Sequence, residues 1–497
     1  MTNGQIESSN NAEHPDVVVI GGGNAGFSAA HAAAQRGRRV VLLERGEEDL
    51  AGGNSYYTAG ATRITHNGLQ DLRDFIEPDE RHAVTEVPVY TAEEYASDLS
   101  KVTEGRNDPH LTDVLVSESH DTLRWLSSLG LKYRLMYERQ AYERPDGSYL
   151  FWGGLHIGNV GGGEGLMADH TRVAGELGIE VRYGHKATSL IVENGTVVGV
   201  SYENAEGPGE LRADSVVLAA GGFETNAEMR RKHLGEGWEN AKVRGTPYND
   251  GTLINVALEI GAVPGGDWSS CHSVQWDAFT PWNESNRELT NRLTRGGYPL
   301  GIIVNRDGKR FLDEGADFRN YTYAKYGKDI LQQPGSVAYQ VFDSEQRALL
   351  RREEYDMPDI SVESAGSIEE LATKIDVDPA ALAATVNEFN SSIDLEIPWD
   401  PTIKDGRVAH VDPPKSNWAA PLAKGPFYAF AVTCGITFTF GGLKTDTHGR
   451  VLNEGGTPIE GLFACGEMLG GLFSGNYPGG TGLAAGMVFG RRAGNLA

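Results

Sequence analysis

The strongest constraint on the fold lies at residues 16–26, where an apolar run ends in a glycine motif. The β-branched stretch 17–20 leads directly into Gly21-x-Gly23-x-x-Gly26 and then into a segment suited to a helix. In such a unit the first glycine permits a tight turn, the second lets the backbone approach a pyrophosphate, and the third lets the helix pack on the strand. The pattern predicts a dinucleotide site in an α/β fold.

A carboxylate follows at the spacing that such a site requires. The second predicted strand, residues 39–43, ends in Glu44, roughly 20 residues after the glycine motif, where an acid can accept hydrogen bonds from ribose hydroxyls. The same carboxylate would repel a 2′-phosphate, so it argues against NADP. Because this half-site alone does not separate NAD from FAD, the cofactor has to be decided elsewhere in the chain.

Two further glycine-rich segments predict additional cofactor contacts. Residues 52–55, Gly-Gly-Asn-Ser, form a turn cluster whose small side chains let the backbone pass close to a ligand. Near the other end, residues 475–482 lead into a helix of small residues. A glycine loop at a helix start accepts an anion or a dipole, and this one suits the C2 carbonyl region of an isoalloxazine ring. The two segments favour a flavin.

Over its whole length the chain resembles the flavoproteins of the fumarate reductase/succinate dehydrogenase superfamily. Besides the N-terminal motif and residues 52–55, the resemblance rests on residues 215–223, 304–311 and 461–494. Within the superfamily, residues 435–443 are most similar to tricarballylate dehydrogenases. By contrast, Asn-Tyr-Pro-Gly at 476–479 is similar to the Tyr-Pro-Gly segment of 3-ketosteroid dehydrogenases.

The resemblance, together with the glycine motifs, implies bound FAD. The expected contacts are Gly21, Gly23, Asn24, Ala25, Gly26, Glu44, Arg45, Gly52, Gly53, Asn54, Ser55, Ala187, Ala220, Gly221, Gly222, Gly466, Glu467, Gly480, Gly482 and Leu483. Membrane-complex relatives attach FAD covalently through a His after the Gly-Gly-x-Ser segment, but here Ser55 is followed by Tyr56 and Tyr57. We therefore expect noncovalent FAD and no metal site.

The order of strand and helix patterns along the chain predicts a flexible tail at residues 1–14, followed by two domains. Strand and helix patterns alternate through residues 15–267, are lost through 268–433, and give way to glycine-rich cofactor patterns in 434–497. We expect an α/β fold in which a Rossmann-like FAD-binding domain, 15–267 with 434–497, carries an inserted α+β cap/substrate domain, 268–433. The resemblance implies that this cap closes over the flavin.

The resemblance also places a proton carrier at Arg319, within residues 311–320. An arginine serves well as an acid, but deprotonating it at pH 7 costs roughly 7 kcal/mol, whereas a tyrosine costs only about 4 kcal/mol. Tyr321, Tyr323 or Tyr477 would therefore be an easier base if the reaction is a dehydrogenation. The sequence leaves both choices open.

Arg295 and His272 resemble cap residues that anchor substrate in fumarate reductases, and a guanidinium suits a carboxylate. Three departures weaken the match to fumarate itself. Arg292 stands where those enzymes have the glutamate of a proton relay. Phe438 replaces a histidine, and Tyr477 replaces a carboxylate-binding arginine. We expect another substrate.

The predicted reaction is hydride transfer between the flavin and a CH–CH or C=C bond activated by a carboxylate or a carbonyl. Residues 435–440 make a tricarballylate-like polycarboxylate the first choice, anchored by Arg295, Arg319 and His272. The second choice is a steroid-like ring ketone, because Tyr477 could donate to a carbonyl oxygen. A third hypothesis, from a different class of protein, is a flavin-containing electron-transfer subunit.

Composition limits the partners. The chain carries 69 acidic and 44 basic residues, a net charge of −25, which disfavours nucleic acid and anionic lipid. Three cysteines without metal spacing favour a reducing, cytoplasmic compartment. No apolar run approaches the roughly 20 residues of a membrane helix. Since haem and iron–sulfur motifs are absent from the sequence, we expect a small-molecule substrate and an external, unidentified electron donor or acceptor.

Overall fold

The structure is a computed structural model that describes residues 14–497, so the predicted tail lies outside the described residues except for its last member. Helices and strands alternate along most of this range. The α-helices are Asn24–Gln35, Gly53–Tyr56, Leu69–Leu72, Ala92–Thr103, Pro109–Ser128, Tyr137–Gln140, Gly162–Glu176, Ala227–Met229, Thr252–Glu259, Arg319–Thr322, Tyr326–Leu331, Ser344–Ala348, Arg352–Tyr355, Ile368–Lys374, Pro379–Ser391 and Thr481–Leu496.

A six-stranded sheet is built around the N-terminal strand. Its order is Arg450–Leu452, Pro458–Ala464, Ser215–Leu218, Val17–Ile20, Val40–Leu43 and Glu180–Arg182. All neighbours run parallel except the first two, which are antiparallel. Every residue of Val17–Ile20 and of Val40–Leu43 is buried, as expected for parallel strands covered on both faces.

The C-terminal segment shares a core with the N-terminal motif. Helix Thr481–Leu496 lies against helix Asn24–Gln35 with the two backbones almost in contact. A Cβ added at Gly490 would lie 2.4 Å from the Ala25 carbonyl oxygen, and one at Gly494 would lie 2.0 Å from that of Ala29. Only glycine allows this approach, so the two ends of the chain are held together by small residues.

A second six-stranded sheet carries most of the region predicted as the cap. Its strands are Lys242–Val243, Pro264–Asp277, Ile302–Asn305, Ala338–Phe342, Val362–Ala365 and Phe427–Leu443. The two longest, Pro264–Asp277 and Phe427–Leu443, pair antiparallel. The predicted boundaries at 267/268 and 433/434 fall inside these two strands, which run without a break from one region into the other. The division into two domains stays a prediction.

Three small sheets complete the fold. They consist of Lys186–Glu193, Thr196–Asn204 and Gly207–Arg212; of Ala61–Thr62, Tyr133–Leu135 and Ile157–Asn159; and of Thr85–Glu86, Ala141–Glu143 and Tyr149–Phe151. Helix Pro109–Ser128 starts after Asp108, because the Asp108 carboxylate accepts hydrogen bonds from the His110 and Leu111 amides.

The contact between the first strand and the first helix yields a stability prediction. A Cβ at Gly26 would lie 1.9 Å from the Gly21 carbonyl oxygen, so Gly26→Ala should force the helix off the strand and cost about 1–3 kcal/mol. Gly175→Ala is the matched control, because a Cβ there meets nothing within 4 Å in the exposed face of another helix. It should stabilise by about 0.5–1 kcal/mol. Thermal unfolding measures both, and an unchanged midpoint for Gly26→Ala would contradict the packing argument.

Candidate active site

One cavity draws together residues from both ends of the chain. The predicted cofactor residues that line it are Gly21, Gly23, Asn24, Ala25, Glu44, Arg45, Gly53, Asn54, Ser55, Ala187, Ala220, Gly221, Gly466, Glu467, Gly480, Gly482 and Leu483. The other three predicted cofactor residues, Gly26, Gly52 and Gly222, do not line the cavity. Gly26 packs on the first turn, Gly52 on Met167, and Gly222 on the carboxyl of Glu467.

The N-terminal motif forms a cradle that side chains would fill. Gly21 has a φ of +106°, and a Cβ there would lie 2.3 Å from the Ala219 carbonyl oxygen. Helix Asn24–Gln35 begins at Gly23 without a side-chain cap. Its N-terminus is therefore available to an anion such as a pyrophosphate.

Glu44 directly follows the second strand, Val40–Leu43, and lies inside this cradle. Its two carboxyl oxygens accept hydrogen bonds from the Gly22 and Gly46 amides, each at 2.7 Å. Burial raises the pKa of Glu44, and the amide donors oppose that rise. Each oxygen keeps a further lone pair, so the carboxyl can accept from a ribose hydroxyl.

A second helix N-terminus faces the same cavity. Helix Thr481–Leu496 begins at Gly480, which has a φ of +82° and no side-chain cap. The preceding Gly479 carbonyl accepts a 2.9 Å hydrogen bond from the buried Arg63 guanidinium. Two uncapped helix starts, a glycine cradle and a ribose acceptor in one cavity together fit FAD.

Four arginines line the cavity, namely Arg45, Arg139, Arg244 and Arg319, and Arg45 is ion-paired with Asp250. Arg244 donates only to neutral side chains, at 3.0 Å to Thr294 Oγ1 and 3.1 Å to Thr437 Oγ1. Arg139 is ion-paired, but within residues 14–497 neither Arg244 nor Arg319 forms an ion pair. Burial lowers the pKa of both unpaired arginines. Among residues 14–497, no carboxylate lies within ion-pair distance of either arginine, although the nearby Glu354 opposes the lowering of the Arg319 pKa.

A buried glutamate lies behind these arginines. Glu354 accepts from Arg139 at 3.0 Å and from Arg351 at 3.2 Å. A Cβ at Gly296 would touch both Glu354 and Arg319, which therefore flank the same glycine. Burial alone would raise the pKa of Glu354, but Arg351, Arg139 and Arg319 lower it to about 2. Burial and the neighbouring Arg319 lower the pKa of Arg351 to about 9.

Two tyrosines, Tyr323 and Tyr477, line the cavity with their hydroxyls hydrogen-bonded to each other. Burial raises both pKa values, but the hydrogen bond with Tyr477 and the nearby Arg244 oppose the rise at Tyr323. Tyr323 is therefore the easier of the two to ionise. Next to the pair, the His272 ring stacks on the Phe438 ring, with the two ring centroids 5.2 Å apart. Burial holds its pKa well below 6.5, so it is neutral.

Two of the expected anchors do not line the cavity. They are His272 and Arg295, and both side chains are fully buried outside the cavity wall. The Arg295 guanidinium donates to Asp277 at 2.7 Å and to the Glu354 carbonyl at 2.6 Å. Asp277 already balances its charge, and the role of Arg295 as a carboxylate anchor stays a prediction. Among the alternative bases, Tyr321 donates to Asp98 instead of facing the cavity.

Sequence reasoning missed Arg139, Arg244 and Glu354. None lies in a recognisable motif, and each could equally be a surface charge by local pattern. Arg244 is placed by the short strand Lys242–Val243, which pairs in parallel with residues 435–436 of Phe427–Leu443. Burial created by such distant pairing leaves no local signal that could have identified these side chains.

The glycine cradle and the two helix starts define a dinucleotide-binding flavoprotein of the oxidoreductase class. The chain belongs to the FAD binding domain family, whose model matches residues 16–483. FAD is therefore its cofactor. The chain also belongs with the fumarate reductase/succinate dehydrogenase flavoproteins that the motifs indicated, and it acts on CH–CH or C=C groups.

Two curated proteins and one solved structure illustrate the similarity. The chain is 30% identical to a probable fumarate reductase of Shewanella frigidimarina, over 98% of this chain and 75% of that protein. It is 29% identical to 4-oxocyclohexanecarboxylate 2-dehydrogenase of Sinomonas cyclohexanicum, over 93% and 89%. In fold it is similar to 3-ketosteroid delta1-dehydrogenase of Sterolibacterium denitrificans, with a TM-score of 0.75, 22% identity and coverage of 97% and 99%.

From residue 14 to residue 497, no group of three or more His, Cys, Asp or Glu side chains could hold a metal ion. No helix within that range is long and apolar enough to cross a membrane. The three cysteines are free and buried.

Noncovalent attachment of FAD can be checked directly. Acid precipitation should release the yellow flavin into the supernatant, because Tyr56 and Tyr57 follow Ser55 where covalent relatives have a histidine. Absorbance of the supernatant and of the redissolved pellet measures the partition. Flavin that stays with the washed pellet would contradict the prediction.

Proposed function

We propose that this enzyme transfers hydride to or from a carbon–carbon bond next to a carboxylate, in an organic acid of which a tricarballylate-like polycarboxylate is the first candidate. The observation that carries the proposal is the pair of unpaired cations in the cavity wall, Arg244 and Arg319. A buried charge without a partner is costly. A substrate carboxylate would complete the missing ion pairs with charge-assisted hydrogen bonds.

The charge balance of the protein strengthens this argument. With a net charge of −25, the surface as a whole repels organic anions. Buried arginines that face a cavity have no value for solubility, and desolvation penalises them. Their placement is most simply explained by an anionic ligand bound there.

Arg319 is proposed as the proton carrier in reduction. Bound FAD supplies the hydride chemistry, and the chain has to hold a proton beside the reacting carbon. Arg319 reaches the cavity while Glu354 lies on its other side, followed by Arg351, whose side chain is 22% exposed. This chain of alternating charges offers a proton route to the surface and supplies the glutamate that Arg292 does not provide.

A ring ketone is the second candidate, and the hydroxyl pair of Tyr323 and Tyr477 favours it. One phenol can donate to a carbonyl oxygen while the other takes a proton from the neighbouring carbon. The relative from Sinomonas is named for a substrate that has both an oxo group and a carboxylate. A keto acid would therefore use the tyrosines and the arginines together. The external electron partner and the cytoplasmic location stay predictions.

The substrate class can be tested by anaerobic flavin bleaching. We expect bleaching of the FAD by a saturated polycarboxylate or a keto acid, and none by a neutral ring ketone of similar size. Arg244→Ala should raise KM for the acid at least tenfold, in line with the roughly 1.5–3 kcal/mol of a hydrogen bond to a charged group.

Arg292→Ala serves as the matched control, because Arg292 is exposed and outside the cavity. Its KM should equal that of the unmodified enzyme. Equal bleaching by the neutral ketone and the acid, with a silent Arg244→Ala, would replace the first candidate by the second.

The proton carrier is tested by comparing Arg319→Ala with Tyr323→Phe. If Arg319 carries the proton, Arg319→Ala should lower kcat by about 10²–10⁴-fold while FAD stays bound. Tyr323→Phe should then lower kcat much less. Steady-state rates with flavin content measured in parallel decide the question, and the reverse ranking would assign the proton to the tyrosine.

A further inference from the structure

Two carboxyl groups meet beside the cavity and play no part in the proposed chemistry. Glu224 is fully buried, whereas Glu467 keeps one side toward the cavity. Thr439 Oγ1 holds them together, because it donates to Glu467 Oε1 at 3.2 Å and accepts from the Phe223 amide, next to Glu224, at 3.4 Å. Each carboxyl acts on the pKa of the other. Glycine is required at position 222, because a Cβ there would lie 2.1 Å from Glu467 Oε1.

Fixed donors hold the outer oxygens of the pair. Glu224 Oε1 accepts from the Asn54 and Asn249 side-chain amides, each at 2.6 Å. Glu467 Oε1 accepts from the Thr439 amide at 2.7 Å. Glu224 Oε2 receives no donor from any of these groups. A hydrogen bond between the carboxyls therefore needs a proton of its own, since two carboxylates can only accept.

Among residues 14–497, neither carboxyl of the pair forms an ion pair with a cation. The charged and titratable groups that face Glu224 from the neighbouring elements are Arg230 and Cys271. The Arg230 guanidinium donates instead to the carbonyl oxygens of Ala241 and Glu239, at 2.8 and 2.9 Å. The Cys271 thiol is neutral, because burial raises its pKa well above 9. Two neighbouring carboxylates without a cation cannot both ionise, so the pair retains one proton.

We propose that Glu224 and Glu467 share one proton and that this proton is required for tight FAD binding. The shared proton fixes the Glu467 carboxyl, which then presents an acceptor oxygen to the cofactor. Loss of the proton gives the pair two negative charges, which repel each other and displace the acceptor oxygen of Glu467. Glu224 acts through Glu467 and is a positioning residue.

The sign of the pH dependence follows from the site. Burial raises the pKa values of both groups, most strongly that of Glu467, on which the negative charge of Glu224 also acts. FAD binding should be tight while the pair keeps its proton and should weaken as pH rises through the upper pKa of the pair. Glu44, in the same cavity, would act in the opposite direction, because protonation at low pH removes an acceptor.

The test is a titration of the full-length apoprotein with FAD, followed by flavin fluorescence, between about pH 6.5 and pH 9.5, below the ordinary pKa of tyrosine and lysine. For the unmodified protein, Kd should rise with pH above the upper pKa of the pair, with a slope that approaches about tenfold per pH unit. In Glu224→Gln the amide supplies the hydrogen permanently and leaves the Glu467 carboxylate in place. Its Kd should stay low and independent of pH.

Glu467→Gln also removes the shared proton, so its Kd should be independent of pH. At low pH this Kd should be higher than that of the unmodified protein, because the acceptor toward FAD is altered. Glu460→Gln, on the exposed end of a strand of the first sheet, is the matched control and should keep the original slope. A flat profile in the unmodified protein would overturn the proposal. So would an unchanged slope in a folded Glu224→Gln or Glu467→Gln.

Discussion

The site depends on the contact of two helices that come from opposite ends of the sequence. Gly490 and Gly494 let helix Thr481–Leu496 approach the carbonyls of helix Asn24–Gln35 so closely that no other residue would fit. Residues of the first turn of both helices line one cavity as a result. The two helix dipoles and their free amides then act on the same ligand, which a larger separation would prevent.

The same cavity collects positive charge in a protein that is strongly negative overall. A cation in a buried wall is stabilised only if an anion approaches it, because the interaction with distant surface carboxylates is screened. Arg139 has its anion in Glu354, whereas Arg244 has only hydroxyl partners. If the substrate is an anion, as proposed, the binding changes the electrostatic energy of Arg244 most, because Arg295 already has its anion in Asp277.

The parts of the structure that could be predicted from sequence are those specified locally. The strand, the glycine turn and Glu44 lie within one short stretch, and their roles follow from backbone geometry alone. The substrate role of Arg295 stays a prediction, because a resemblance gives a position in the chain but not the direction of the side chain. Its partner Asp277 lies in the long strand Pro264–Asp277, next to the segment that positions Arg295. Glu354 reaches Arg319 from a helix with no motif, so only the folded structure brings them together.

The structure also changes the energetic comparison between arginine and tyrosine as a base. In water the tyrosine has an advantage of about 3 kcal/mol, from pKa values near 12.5 and 10. Burial moves the two groups toward each other, because it lowers the pKa of Arg319 and raises that of Tyr323. Desolvation favours the neutral form in both cases, and that form is the base for arginine but the acid for tyrosine. The advantage of tyrosine therefore shrinks in this cavity, and Glu354 acts against the shift because its negative charge stabilises the protonated Arg319. An anionic substrate bound beside Arg319 would act in the same direction as Glu354, which makes arginine a better acid for reduction than base for dehydrogenation.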